Sequence, residues 1–269
     1  MTSMETTTSA DGTTIAFDRY GQGPALILVG GALSDRGAAA GLAAKLAPRF
    51  TVVAFDRRGR GDSGDTAPYA VEREVEDIHA LIDEAGGSAF VFGHSSGAVL
   101  ALEAARALPG RVPKLAVYEP PFIVDDGHPP LPADHAAQLE GLVSEGRRGD
   151  AVAYFMTTGP GVPAEVVESM RAEEHWPSLE ALAHTLAYDA TVMGDTMSGS
   201  PVPLERWASL GVPTLVMAGG ESPPWQQHAT RTLAAVLPDA WHRTLEGQDH
   251  GPADEVLFPV LEDFFTDRR

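Results

Sequence analysis

The sequence predicts an α/β fold: a mostly parallel central sheet flanked by helices, with one helical insertion. Three observations carry this. Short, nearly unbroken apolar runs recur at residues 25–29 (A-L-I-L-V), 51–55 (T-V-V-A-F), 88–92 (S-A-F-V-F), 114–118 (K-L-A-V-Y) and 213–218 (P-T-L-V-M-A), as expected of strands buried on both faces. Stretches of helical periodicity separate them, which is what parallel crossovers need. The alternation lapses across residues 120–205, where proline and glycine clusters punctuate helical patches.

In chain order, residues 13–20 (T-T-I-A-F-D-R-Y) partly alternate between the turn signals D-G and G-Q-G-P, which predicts a hairpin into the strand at 25–29. A helix over 37–47 precedes the strand at 51–55, which ends in the loop D-R-R-G-R-G-D-S-G at 56–64, too rich in glycine for a helix. Apolar residues at 71, 75, 78, 81, 82 and 85 make one helical stripe. Strand 88–92, helix 96–108 and strand 114–118 follow, and then helical patches at 135–146, 150–157, 163–173 and 178–193. After strand 213–218 come a helix over 226–237, a short strand over 241–245 and a last helix over 253–266. Residues 1–120 and 206–269 therefore form the core, and 121–205 the insertion.

Bulk composition narrows the function classes. With 269 residues, 43% hydrophobic and 21% charged, the chain can bury a substantial core. Its 38 acidic and 19 basic residues give a formal charge of −19, which opposes binding to phosphate backbones and anionic lipid. The absence of cysteine removes disulfides, thiolate metal sites and a thiol nucleophile. The first ten residues lack a basic and an apolar region of a secretory leader, and no apolar run reaches the roughly 18–20 residues of a membrane span. The expectation is a cytoplasmic protein with a small-molecule partner, without nucleic acid or membrane. The sequence carries no signal for an oligomeric state, no metal-ligand spacing, and no phosphate loop or dinucleotide fingerprint.

One stretch carries chemistry. Residues 93–97 read G-H-S-S-G between a buried strand and a helix, the G-x-S-x-G pattern of a nucleophile elbow. Glycines at both ends permit a turn too tight for side chains, Ser95 is held strained and exposed, and the helix starting at Ser96 aims its N-terminus at the same point. Such strain costs about 1–3 kcal/mol, more than a plain connection warrants.

Together with the loop after Val29, D-R-R-G-R-G-D-S-G at 56–64 and Q-D-H-G at 248–251, in that order, the elbow resembles the α/β-hydrolase superfamily over nearly the whole chain. That resemblance implies the α/β-hydrolase fold, with residues 121–205 as its helical cap, and cofactor-independent chemistry on an acyl group. It also implies that His250, in the loop before the last helix, is the base for Ser95; His228 and His242 are the runners-up, and His94 is read as packing. The family's usual acid position falls on Ser222 in A-G-G-E-S-P-P, a neutral residue. Glu119, at the end of the strand at 114–118, stands where some members supply the acid instead, a placement similar to zearalenone-type lactonases. Glu221, Asp249 or a dyad without acid are the alternatives. The family's oxyanion donors correspond to the backbone N–H of Ser96 and of Ala32, or Gly31 in its place.

The insertion supplies Tyr154, Trp176 and Tyr188, with Phe122 at its entrance and Leu33 beside the oxyanion loop, as candidate walls of an apolar substrate pocket. Asp189 and Asp195 are read as solvated helix positions. The expected reaction is hydrolysis of a small, largely apolar carboxylic ester or lactone. A cofactorless lyase, a C–C hydrolase, a haloperoxidase-like perhydrolase and a non-catalytic receptor use the same fold and stay open as alternatives. Ser95 at the elbow excludes a haloalkane dehalogenase, which needs Asp there.

Overall fold

A computed structural model describes residues 4–267; the first three residues, which formed part of the leader reading, and the last two lie outside the described residues. The chain runs β1 (Met4–Thr8), β2 (Thr14–Tyr20), β3 (Ala25–Val29), α1 (Ala40–Leu46), β4 (Thr51–Phe55), α2 (Val71–Glu84), β5 (Phe90–His94), α3 (Ser96–Ala107) and β6 (Leu115–Tyr118). Five helices follow: α4 (His135–Ser144), α5 (Arg148–Thr158), α6 (Ala164–Met170), α7 (Trp176–Leu182) and α8 (Leu186–Met193). The core then resumes with β7 (Thr214–Gly219), α9 (Pro224–Val236), β8 (Ala240–Leu245) and α10 (Asp254–Phe265).

The eight strands form one sheet in the order β1-β2-β4-β3-β5-β6-β7-β8, parallel from β4 to β8 and antiparallel at the β1-β2 and β2-β4 pairs. The hairpin expected from residues 13–20 into β3 does not form. β2 pairs with β1 on one side and β4 on the other, so β3 lies between two parallel neighbours, as a strand buried at every residue requires.

The continuous apolar runs split their side chains between two layers, because successive residues of a strand face opposite ways. Ile27, Val29, Val91, Val117 and Val216 pack with Ile78, Leu81, Ala101 and Leu233 on the side of α2, α3 and α9. Leu26, Leu28, Phe92, Tyr118 and Met217 pack with Leu42, Leu46, Leu257 and Leu261 on the side of α1 and α10. The segment between β6 and β7 has a cluster of its own, with Leu139, Val152, Val167, Trp176 and Leu186 at its centre. No helix among the described residues is long and apolar enough to cross a membrane.

The six parallel strands end at one sheet edge, and four of the segments leaving it build the site. The segments after β3, β5, β6 and β8 all leave from strand carboxyl ends, where an open α/β sheet leaves a crevice for ligands.

Candidate active site

Ser95 follows β5 at φ 57° and ψ −127°, a region L-residues avoid. The strain is imposed by its surroundings: Ser95 N–H donates to Tyr118 O at 3.0 Å, and Ala98 N–H donates back to Ser95 O at 2.9 Å. Gly97 is required because a Cβ there would run into the carbonyl oxygens of Val29 and Gly30. Gly31 is required for the same reason on the facing loop, since a Cβ would lie 2.8 Å from Ser95 Cβ. Two backbone segments thus approach the serine more closely than side chains would allow.

The residues after β6 and β8 meet beside it. Glu119 is fully buried, at φ 45°, and its Oε2 accepts from His250 Nδ1 at 2.8 Å. Its Oε1 accepts Gly219 N–H at 2.7 Å. Gly219 is the glycine from which the family's usual acid position is counted, so a carboxylate from β6 reaches across to the end of β7. Ser222, at the usual position, is buried and its hydroxyl has no partner among the described residues. Glu221 is exposed, and the Asp249 carboxylate accepts Gly251 N–H at 2.9 Å, closing its own loop. His228 pairs with Asp125 at 2.7 Å and His242 meets Thr230 Oγ1 at 3.0 Å. Of the candidates named from sequence, the structure joins Glu119 to His250; Asp249 borders the same cavity with its carboxylate turned to its own loop, and Glu221, His228 and His242 make no bond to that pair.

In the tautomer whose Nδ1–H donates to the Glu119 carboxylate, Nε2 carries the lone pair that can accept a proton. The buried side-chain amide of Gln226 lies 2.8 Å from the same Nδ1, a contact that suits an Nδ1–H donor when the amide turns its oxygen to the ring. His94 is more than packing: its Nε2 donates to His250 O at 2.8 Å, and Tyr118 Oη donates to Asp249 O. These two bonds tie the loop at 248–251 to β5 and β6. Burial, followed by the neighbouring His250, pushes His94 down to about 4, so it is a neutral donor over the physiological range.

That shift predicts a pH dependence of stability. The unfolded chain binds a proton on His94 near the ordinary value of 6.5 and the folded chain only near 4, so stability falls as pH drops through that window. Urea unfolding should show wild type losing up to about 3 kcal/mol more than His94→Gln between these limits. Equal pH slopes for the two proteins would contradict the assignment.

Two cavities open at Ser95 and His250. One, of about 610 Å³, is lined by Gly30, Gly31 and Ala32, by Leu42, Phe55 and Leu257 from the core, and by Phe155, Met156 and Met170. The other, of about 490 Å³, is lined by Ala32, Ser96, Leu131, Met193, Met197 and Trp225. Gly31, Ala32 and Ser96, the expected oxyanion donors, thus all border the serine's surroundings.

The five aromatic and aliphatic wall candidates are corrected, as none lines either cavity. Phe122 is buried against Trp207, ring centroids 5.5 Å apart. Trp176 centres the insertion's own core and donates from Nε1 to Glu180. Tyr154 packs on His135, Tyr188 stacks on Tyr69 at 4.0 Å, and Leu33 packs against the insertion. Large apolar side chains were claimed by the packing of small helices, and the neighbours Phe155 and Met156 face the cavity instead.

Asp189 is also corrected: it is fully buried, not solvated. Its Oδ1 accepts from Arg57 Nη1 at 2.6 Å and from Ser96 Oγ at 2.7 Å, and its Oδ2 accepts from Arg60 Nη2 at 2.8 Å. Arg57 also forks onto Glu74 at 2.7 and 2.6 Å. Burial raises the Asp189 carboxyl, but Arg60 and Arg57 outweigh it and hold it below the ordinary carboxylate range. Asp195 is exposed and pairs with Arg206. Among the described residues no group of three or more His, Asp or Glu could hold a metal ion.

A model of the alpha/beta hydrolase family matches residues 26–258. The crystal structure of an alpha/beta hydrolase from Sphaerobacter thermophilus is 56% identical, covering 97% of this chain and 100% of that one at a TM-score of 0.91. A 2-(acetamidomethylene)succinate hydrolase of Mesorhizobium japonicum is 27% identical over 239 residues, 86% of this chain and 82% of that protein. YraK of Bacillus subtilis, an uncharacterized hydrolase, is 35% identical over 124 residues, so the match spans 45% of this chain and less than half, 46%, of that protein.

Proposed function

Because the chain belongs to the alpha/beta hydrolase family, we propose that it cleaves a small, largely apolar carboxylic ester or lactone through Ser95, His250 and Glu119, by way of an acyl-enzyme. The observation that carries this reading is the 2.8 Å bond from His250 Nδ1 to the fully buried Glu119, with His250 and Ser95 lining the same two cavities.

In this scheme Ser95 Oγ gives its proton to His250 Nε2 and attacks the carbonyl carbon. The oxygen that becomes negative is received by the N–H groups of Ser96 and Ala32, at the N-terminus of α3 and in the loop after β3. The leaving alcohol takes the proton from His250 as the C–O bond breaks. Water then loses a proton to His250 and attacks the acyl-enzyme, and Ser95 recovers that proton as the acid departs. The Glu119 side chain, through its bond to Nδ1, balances the imidazolium that forms. No cofactor is called for.

Residues 121–205 act as the cap in this reading, contributing Phe155, Met156 and Met170 to one cavity and Leu131, Met193 and Met197 to the other. Two cavities meeting at one serine suit a substrate with an arm on each side of the scissile bond. The walls also argue about charge. Arg36 is the Lys or Arg that lines either cavity, and its guanidinium is already committed to Asp18, Asp56 and Asp62. A carboxylate on the substrate would enter without a free cation to meet it, a costly burial. On this reading the substrate differs from the succinate for which that relative is named. After subtraction of spontaneous hydrolysis, kcat/KM for p-nitrophenyl butyrate should exceed that for p-nitrophenyl hemisuccinate by about tenfold or more. A preference for the hemisuccinate would overturn the apolar assignment.

A further inference from the structure

We propose that Asp189, carried by α8, is a positioning residue that sets both oxyanion donors, so that the catalytic geometry depends on the seating of α8 against the core. The proposal rests on the Ser95 hydrolase reading and goes beyond it by assigning a role to a residue outside the triad.

The argument starts with the peptide group. Gly31 C=O and Ala32 N–H are opposite ends of one planar trans peptide, so fixing the direction of the carbonyl fixes the direction of the N–H. Gly31 O accepts from Arg60 Nη1 and from Ser34 Oγ, the latter at 2.7 Å. Two donors on that oxygen leave the Ala32 N–H directed the opposite way, and a guanidinium on the carbonyl also polarises the peptide and strengthens its N–H as a donor. Arg60 is itself held by Asp189 Oδ2 at 2.8 Å. Arg57 Nη1, held by Asp189 Oδ1, reaches Gly30 O at 3.4 Å, one residue earlier in the same loop.

The second donor is governed from the same carboxylate. Ser96 Oγ donates to Asp189 Oδ1 at 2.7 Å, which fixes the residue whose backbone N–H is the other arm of the oxyanion site. A single side chain therefore orients Ala32 N–H through Arg60 and anchors Ser96, whose N–H is the other donor, through its hydroxyl.

The cluster is built to be dry and balanced. Arg57, Arg60, Glu74 and Asp189 are each buried, two cations against two carboxylates. Such an arrangement is costly to assemble and strongly disfavours the loss of one member. It is also a joint between parts of the chain. Arg57 and Arg60 come from the loop after β4, Glu74 from α2, Ser96 from α3 and Asp189 from the segment between β6 and β7. The preceding residue, Tyr188, stacks on Tyr69 within 5° of parallel and donates to Asp65 at 2.8 Å, while Tyr69 Oη donates to Glu74. Displacing α8 would break these bonds and release both donors together.

The experiment compares wild type, Asp189→Asn and Ser96→Ala. The readouts are kcat and KM for p-nitrophenyl acetate and inhibition by a phenyl trifluoromethyl ketone, whose hemiketal oxyanion needs the same donors. Asp189→Asn is expected to lower kcat by about 10²-fold with KM within threefold, and to weaken the ketone by a similar factor. Ser96→Ala, which keeps its N–H and removes one hydroxyl, is expected to lower both by about fivefold to tenfold, and it decides the matter if Asp189→Asn does not fold. A purely structural role would lower thermal stability and leave kcat and ketone affinity within twofold of wild type; that result overturns the proposal. Absence of Ser95-dependent turnover in wild type would instead remove the hydrolase reading and this proposal with it, an outcome distinct from a working enzyme indifferent to Asp189.

Discussion

Replacing Ser95 by alanine is expected to lower kcat for p-nitrophenyl acetate by roughly 10⁴-fold or more while the protein stays folded. In the proposed mechanism the hydroxyl oxygen forms the acyl-enzyme, so its loss leaves only attack by water on a bound ester. The N–H groups of Ser96 and Ala32 are backbone and survive the change, which is why some acceleration over solution should remain. Stability should hold or rise. Ser95 sits at φ 57° because Tyr118 O, Ala98 N–H and the approach of Gly31 impose that conformation, and its side chain is not what keeps the turn closed. An unchanged melting temperature together with lost turnover separates chemistry from folding. A Ser95→Ala protein within tenfold of wild type would remove Ser95 from the mechanism.

Replacing Glu119 by glutamine is expected to lower kcat by roughly 10²–10⁴-fold with KM within a few fold. The amide is nearly the same shape and can still accept from Gly219 N–H through its oxygen. What it loses is charge and direction: the bond to His250 Nδ1 at 2.8 Å no longer selects the tautomer with Nε2 free, and nothing offsets the imidazolium that forms as Ser95 attacks. Glu221→Gln and Ser222→Ala should both stay within threefold of wild type, since neither side chain meets the His250 ring. Comparable losses in Glu221→Gln would move the acid to the loop after β7. Turnover nearly intact in Glu119→Gln would leave Ser95 and His250 as a dyad.

The parts of this site that could be read from sequence are those set by local rules. Five apolar runs announced strands buried on both faces, and G-H-S-S-G announced a strained turn because only such a turn needs glycine at both ends. Glu119 was legible because it directly follows β6, and strand ends in a parallel sheet share one edge. The edge strand β1 was not. M-E-T-T-T has no apolar alternation, and its pairing is supplied entirely by β2. The partner of β2 was misjudged for a related reason, since turn residues locate a reversal and do not say which strand lies next to it.

Pocket walls failed on geometry. In a helix each residue is turned about 100° from the last, so composition placed an aromatic pair at 154 and 155 in the insertion without saying that Phe155, and not Tyr154, faces the cavity. Asp189 failed on distance in the chain. Its bond to Arg57 spans 132 positions, and nothing near Y-D-A-T shows that two buried guanidiniums wait for that carboxylate. The signal lay at the other end: R-R-G-R in a loop between a buried strand and a helix places three arginines where solvent is scarce. Arg57, Arg58 and Arg60 are all buried, and each has a carboxylate partner.

The most direct measurement is mass spectrometry of the wild-type protein after treatment with a fluorophosphonate, which reacts with an activated serine. The account predicts a single adduct on Ser95, absent in Ser95→Ala and formed more slowly in Glu119→Gln. A folded wild-type protein that takes no label, or takes it on another residue with Ser95 unmodified, would contradict it.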